Sequence, residues 1–331
     1  ITVAGAALTG CAASTDPSRP GSGPSGAVAV PVLAAAAASC NPGATASYPP
    51  LPDTSPSSWP DGSLMQTIRS RGYLVVGVSG DTRLLGARNL LNGGRLEGFD
   101  IDIARQVAIA MFGRADDSTV HFRVITGAQR IPLVNTGAGT AGQPADGVDL
   151  VARAMTMTCD RWNNSNAAQR VAFSAVYLMA HQRLLVRADS GIRSVSELQK
   201  AKAKVCAPTG STSLTRIQEF PGIQPVAVQI HSDCLALFQE GQVDAITGDD
   251  AILAGFKAQD PHTVITGELL ENEPYGLAVA TGHPEFARYL NAVLEKIKGD
   301  GTWQKVYDGW LRQALPDSPA SPPAADYGRA S

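Results

Sequence analysis

The run Val148-Asp149-Leu150-Val151-Ala152 constrains the fold most. It is short, almost wholly apolar and preceded by a Gly/Pro-rich loop, which reads as a strand of a parallel sheet buried on both faces. A chain built around such strands is expected to be α/β. Beyond the run the chain must turn, and in open α/β sheets ligands collect at the carboxyl ends of strands. Thr156, Thr158 and Arg161 fall there. Two hydroxyls and a planar guanidinium fork suit a carboxylate. From these residues alone, Arg161 reads equally well as a surface arginine paired with a neighbouring acid.

The same pattern recurs along the chain. Ser63 and Gln66 form a capping-box pattern ahead of a short helix, and the strand 73–78 runs into the loop Ser79-Gly80-Asp81-Thr82-Arg83. Arg83 is therefore a candidate ligand contact, although a solvated loop arginine fits as well. Gly98-Phe99-Asp100 opens a helix whose Ile103, Val107 and Met111 share one face, with the Phe99 ring expected in packing. A strand at 120–124 and a short helix at 129–134 follow. A second series starts near Gln182: a capping box at Ser194 and Glu197, a strand at 204–207, and the loop Pro208-Thr209-Gly210-Ser211-Thr212-Ser213. Backbone N–H groups and hydroxyls make that loop an anion-binding candidate, but it lacks the lysine and glycine spacing of a phosphate loop. Ser232 is expected to cap the next helix. The strand 243–247 runs into Asp249 and Asp250, where a carboxylate could hold an ammonium group. Either both acids merely start a helix, or Asp249 binds ligand while Asp250 caps. A strand at 275–280 would return to the first series, before two amphipathic helices with Phe286, Leu290 and Leu294, then Trp303, Tyr307 and Trp310.

Length and charge narrow the function. At 331 residues the chain can hold two domains, and a net charge of -3 without any dense basic block argues against nucleic acid. Leu8-Thr9-Gly10-Cys11 closes an apolar stretch of small residues and resembles a bacterial lipobox. Residues 1–10 then read as a signal-peptide remnant, and Cys11 as the acylated anchor on the outer face of a membrane. Residues 11–62, rich in Ala, Pro, Ser and Gly, read as a flexible linker, and the Pro/Ser/Ala-rich tail at 316–331 as disordered. Four cysteines remain. Cys206 and Cys234 fall in one series and are the first pairing; Cys40 is left either to Cys159 or as a free thiol. His and Cys show no metal-ligand spacing, and nothing calls for a cofactor.

Taken together, these segments resemble the bacterial extracellular solute-binding proteins for polar amino acids. The likeness is carried by Glu97-Gly98-Phe99-Asp100-Ile101-Asp102-Ile103-Ala104, by Met155-Thr156-Met157-Thr158 with Arg161, and by Phe173-Ser174 with Tyr177. Gly210-Ser211-Thr212, Gly241-Gln242-Val243-Asp244-Ala245, Asp249-Asp250-Ala251-Ile252-Leu253 and Gly301-Thr302-Trp303 extend it in the same order. The cysteine placement and long linker are most similar to the actinobacterial glutamine/glutamate-binding lipoproteins. The resemblance implies a type II periplasmic-binding-protein fold of two α/β lobes (63–181 with 275–315, and 182–274) joined by two crossing hinge strands and closing as a Venus flytrap. It implies that Arg161, with Thr156 or Thr158 and the N–H groups of Ser211 and Thr212, meets a ligand α-carboxylate, and that Asp249 accepts from the α-ammonium. Ala154 stands where a glycine is common, and the usual aromatic of the first loop is absent. Arg83 would suit an acidic side chain, so Asp, Glu, Asn and Gln all remain open. The implied partners are a small amino acid and either an ABC permease or a membrane-bound sensor, in an extracytoplasmic, non-enzymatic role. The same scaffold also serves cyclohexadienyl-type dehydratases, for which Asp250 or Glu273 would be the acid to nominate.

Overall fold

The computed structural model describes residue 2 and residues 43–316 and 321–330. Two sheets organise it. The first has the strand order Val120–Val124, Leu74–Val78, Leu150–Val151, Ala278–Val279, Ala172–Phe173. Its first three strands run parallel, and Ala278–Val279 is antiparallel to both neighbours. The opening run of the sequence lies here. Val148, Leu150, Val151 and Ala152 are fully buried, because strands flank Leu150–Val151 on both sides and helices cover the sheet. Asp149 is tolerated in this position because its carboxylate pairs with Arg71 and accepts from the Val75 N–H at 2.8 Å.

The second sheet has the order Gln224–Val228, Lys204–Pro208, Ala245–Asp249, Leu178–Arg187, Thr263–Ile265. The ten-residue strand Leu178–Arg187 serves twice. Its last half sits antiparallel to Ala245–Asp249, and its first half pairs antiparallel with Glu271–Tyr275. These two strands are the crossings between the lobes. The return strand is shorter than the sequence suggests: it ends at Tyr275, and a second short strand begins at Ala278. Within the second lobe, Cys206 and Cys234 form a disulfide with Cα atoms 5.5 Å apart. Cys159 is disulfide-bonded too; Cys40, its expected partner, lies outside the described residues, as does Cys11.

Local signals explain the helices. Ser63 accepts from the Gln66 N–H at 3.5 Å to cap Leu64–Arg71, and Gln66 Oε1 reaches back to the Gly62 N–H at 2.8 Å. Glu197 accepts from the Ser194 N–H at 3.0 Å ahead of Val195–Ala201. In Phe99–Phe112 the residues Phe99, Ile103, Val107 and Met111 are buried, and the Phe99 ring stacks on Tyr177 and meets Trp303 and Tyr307 edge-on.

Two stretches expected to be unstructured pack on the first lobe. The Ser47 hydroxyl donates to the Phe173 carbonyl at 2.7 Å, Asn291 donates to the Tyr48 carbonyl at 2.7 Å, and Trp59 packs edge-on against Tyr289. From the far end, Arg329 donates its backbone N–H to the Ser47 carbonyl at 3.0 Å and lays its guanidinium 3.6 Å from the Trp162 ring centre. Neither segment can build a core of its own. Each instead finds its hydrogen-bond partners on the lobe surface and on the other. Among the described residues no helix is long and apolar enough to cross a membrane.

Candidate functional site

The carboxyl ends of strands from both sheets face one cavity. Ser79, Thr82, Asp100, Arg130, Arg153, Ala154 and Thr156 line it from the first lobe, and Ser211, Thr212, Ser213, His231, Asp249 and Ile252 from the second. It measures about 20 Å³. A single water molecule needs roughly 10–15 Å³ on that measure, so the lobes are closed on one another and an amino acid could enter only if they part. Direct contacts hold them shut. Arg130 and Arg161 of the first lobe both donate to the Gly210 carbonyl of the second, at 2.9 and 3.2 Å, and the Ser232 N–H donates to Asp81 at 3.0 Å. At the rim a Cβ on Gly255 would lie 2.6 Å from the Arg83 carbonyl oxygen, an approach only glycine permits.

On the first lobe the chain leaves Leu150–Val151 through Arg153 and Ala154. Ala154 has φ +40°, uncommon for a residue with a side chain. The turn is held because the Ala154 N–H donates to Asp100 at 2.8 Å, while Tyr177 donates its hydroxyl to the other Asp100 oxygen at 2.8 Å. Burial pushes the Asp100 carboxyl up to about 6 despite these donors. Arg130, at the start of the helix Arg130–Thr136, donates to the carbonyls of Gly127 at 2.9 Å and Ala154 at 3.1 Å. Arg153 donates to the Ile125 carbonyl at 2.8 Å. Arg161 is buried behind the lining and donates to the Thr156 carbonyl at 2.6 Å. Burial depresses the pKa of all three guanidiniums, and Arg161 and Arg153 lower Arg130 further by like-charge repulsion.

On the second lobe Asp249 ends the strand Ala245–Asp249 and occupies the N-cap position of Asp250–Lys257. Its side chain is turned away from that helix, accepting from Tyr275 and, at 3.3 Å, from Ser213. Burial, then the nearby Glu273 carboxylate, raises its pKa well above the ordinary range. Asp250 instead accepts from the Ala251 N–H at 2.8 Å and holds His181 at 3.1 Å. Ser211 caps Thr212–Gln218 by accepting from the Leu214 N–H at 3.0 Å. Thr212 donates to Glu273 at 2.8 Å, and Thr156 donates to the same oxygen from the first lobe. Glu273 is fully buried on the hinge strand, and its other oxygen, Oε1, has no hydrogen-bond partner.

Of the residues singled out in the sequence, Ala154, Thr156, Ser211, Thr212 and Asp249 therefore share this cavity, with Arg161 directly behind it. Two do not. Arg83 is exposed and is not part of the lining, whereas its neighbour Thr82 is buried and lines the cavity. Thr158 caps the helix Cys159–Asn163, accepting from the Arg161 N–H at 3.2 Å. The expectation that Ser232 caps a helix also fails. The helix is His231–Gln239 with Ile230 at its N-cap, so Ser232 lies in the first turn and gives its N–H to Asp81. Arg130, Arg153 and His231 are site residues the sequence reading passed over. Arg153 was discoverable, standing one residue past the buried run. His231 is buried with Nδ1 unpartnered, and burial followed by Arg153 pushes its pKa down to about 3.

Electrostatics divides the cavity into two ends. Asp249 interacts with Arg130 and Arg161. Arg153 interacts with Asp81 and Asp100, and His231 with Arg153 and Asp81, while Arg130 interacts with Arg153 and His231 as well as with Asp249 and so stands between the two ends. A zwitterionic head carries its carboxylate and ammonium on one carbon, so the end holding both Asp249 and Arg161 is the end that can take it. The other end offers Ser79, Thr82, Arg153 and His231.

Comparison with known proteins agrees with this architecture. Residues 74–313 match the family described as bacterial extracellular solute-binding proteins, family 3. The ABC transporter glutamine-binding protein GlnH of Bacillus subtilis (strain 168) is 36% identical over 250 residues, 75% of this chain and 85% of that protein. The glutamate-binding protein GluB of Corynebacterium efficiens is 31% identical, over 71% of this chain and 77% of its own. Among solved structures, an ancestral arginine-binding protein bound to glutamine superposes with a TM-score of 0.62 at 30% identity, covering 73% of this chain and 98% of the other. The ancestral amino acid-binding protein AncCDT-1, a precursor of cyclohexadienyl dehydratase, gives 0.64 at 28%, covering 75% and 100%. The chain belongs to family 3 of the bacterial extracellular solute-binding proteins.

Proposed function

We propose that the protein captures a polar amino acid in the cleft, with an acidic side chain preferred, and presents the closed form to an ABC permease or a membrane-bound sensor. The observation that carries this is Asp249: a buried carboxylate of the second lobe, held by hydroxyl donors alone in the contacts described above and facing the guanidiniums of the first. The α-ammonium would sit on Asp249. The α-carboxylate would take the place the Gly210 carbonyl now holds on Arg161, with the Thr156, Ser211 and Thr212 hydroxyls beside it. The side chain would extend toward Arg153, Arg130 and His231. One ligand then bridges both lobes, and closure is favoured by as much as its affinity for the closed cleft exceeds that for the open one. The relatives named for glutamine and glutamate support an amino-acid ligand, and Arg153 supports the acid over the amide.

The lobe boundaries expected from the sequence, a lipid anchor at Cys11 and an extracytoplasmic location belong to the same reading. A non-enzymatic role does too. Glu273, the acid a dehydratase reading would nominate, is held by Thr156 and Thr212 and lies outside the cavity lining. Isothermal titration of L-glutamate against L-2-hydroxyglutarate tests the grip, because a hydroxyl of similar size replaces the ammonium and the rest of the molecule is unchanged. Equal binding of the two would overturn the role of Asp249, and turnover of prephenate would overturn the non-enzymatic role.

A further inference from the structure

The helix that carries Arg161 is too short to place itself. Cys159–Asn163 has five residues, and an isolated helix shorter than about 12 is marginal in water. Besides the Thr158 cap, the Cys159 disulfide and a hydrogen bond from the Val171 N–H to the Arg161 carbonyl at 2.9 Å, its position comes from packing. The side chain that packs is Trp162, the buried neighbour of Arg161. The indole meets Phe173 edge-on with ring centres 5.3 Å apart and Tyr48 edge-on at 6.0 Å, and its Nε1 donates to the Ala44 carbonyl at 2.9 Å. Arg329 covers the ring itself, with its guanidinium 3.6 Å from the ring centre. A cation in that place is attracted by the ring face. It is also fixed there, because Nε donates to the Ala46 carbonyl at 2.8 Å and Nη2 to the Gly43 carbonyl at 3.3 Å.

Holding the tail down does not need that guanidinium. The Ser47 N–H donates to the Asp326 carbonyl at 2.8 Å and the Arg329 N–H to the Ser47 carbonyl at 3.0 Å, so backbone pairs already fasten the segment. What the side chain adds falls on Trp162. One residue away, Arg161 is held by the Thr156 carbonyl of its own lobe and by the Gly210 carbonyl of the other. The Gly210 contact goes when the lobes part, and a binding group must be held within about 0.5 Å of its productive place. We infer, on the α-carboxylate role proposed for Arg161, that Arg329 acts through Trp162 as a positioning residue for Arg161, so that the C-terminal segment sets how the cleft arginine meets its ligand.

The test is calorimetric titration of the full chain with L-glutamate and with its α-amide, L-isoglutamine, which keeps the ammonium and the side chain but not the α-carboxylate; the weaker ligand is read by displacement. The variants are Arg329→Gln and Trp162→Leu, with thermal melts confirming that each folds. Wild type should bind the α-amide about 100-fold more weakly than L-glutamate. Arg329→Gln should weaken L-glutamate about 5-fold and Trp162→Leu about 10-fold, with the α-amide unchanged within about 2-fold, because only the ligand that uses Arg161 feels its displacement. Loss of both ligands in equal proportion would make the tail a general brace of the lobe and overturn the inference, as would an unchanged L-glutamate affinity in Arg329→Gln. Equal binding of the two ligands by wild type would instead remove the α-carboxylate role of Arg161, and the positioning role with it.

Discussion

The first lobe meets the cleft with guanidiniums, Arg130, Arg153 and Arg161, each donating to backbone carbonyls, and with Asp100, which accepts from the Ala154 N–H and the Tyr177 hydroxyl. The second meets it with hydroxyls and one buried carboxylate, Asp249. The difference lies in how each charge is satisfied without a ligand. An arginine can spend five N–H donors on carbonyls and still present a face; Arg153 does so within the first lobe, while Arg130 and Arg161 also donate to the Gly210 carbonyl of the second. Asp249 accepts from Tyr275 and Ser213, and burial with Glu273 nearby drives it toward the protonated form. Asp100 of the first lobe is raised less, and its two oxygens are held by the Ala154 N–H and the Tyr177 hydroxyl, so Asp249 is the carboxylate whose charge state a ligand ammonium would change most. The lobes are also braced differently: the second by Cys206–Cys234, which ties the strand leading to Ser211 to the helix bearing His231, and the first by the 43–62 and 321–330 segments wrapped on its surface.

If this contrast is right, Asp249→Asn should be the most damaging change. Isothermal titration should show a loss of about 3 kcal/mol, on the order of 100-fold, because the ligand ammonium is left buried without its counter-charge. Replacing Cys206 and Cys234 together by Ser removes a cross-link spanning 28 residues. It should cost about 3 kcal/mol of unfolding free energy by chemical denaturation, and deletion of residues 321–331 should cost less. Arg153→Met should weaken L-glutamate by about 2 kcal/mol while leaving L-glutamine nearly unchanged, which separates the side-chain end of the cavity from the end that holds Asp249. The smallest effect is on pH. Asp249 has a raised pKa in the free cleft and must be ionised to hold an ammonium, so binding releases a proton. Affinity should then rise, by roughly tenfold at most per pH unit, as pH increases toward the raised pKa, and level off above it. Titration in two buffers of different ionisation heat would detect the released proton. Affinity that falls over the same range would remove Asp249 from the role.

Much of this was legible in the residues. The buried run at 148–152, the strand-end position of Asp249 and the hydroxyls of Thr156, Ser211 and Thr212 follow from periodicity and strand-then-turn order, and the site sits where such ends converge. Arg83 lies off the closed cavity although its loop neighbour Thr82 lines it, and no periodicity records which of two successive loop residues faces inward. Arg130 was missed for the opposite reason. In sequence it opens a short helix and reads as a surface residue; only its bonds to carbonyls of three separate loops, Gly127, Ala154 and Gly210, make it part of the cleft. The segment around Ser47 looked like linker because its partners, Phe173, Asn291 and Arg329, lie more than a hundred residues away. Composition describes what a segment can bury alone and is silent on what another surface offers it.

The most direct test of the central claim is calorimetric titration of the full chain with L-glutamate, L-aspartate, L-glutamine and L-asparagine at neutral pH. The account predicts that the acids bind, and bind about tenfold or more tightly than their amides, because Arg153 and Arg130 face the side chain. Binding of none of the four, or tighter binding of a basic amino acid than of either acid, would contradict it.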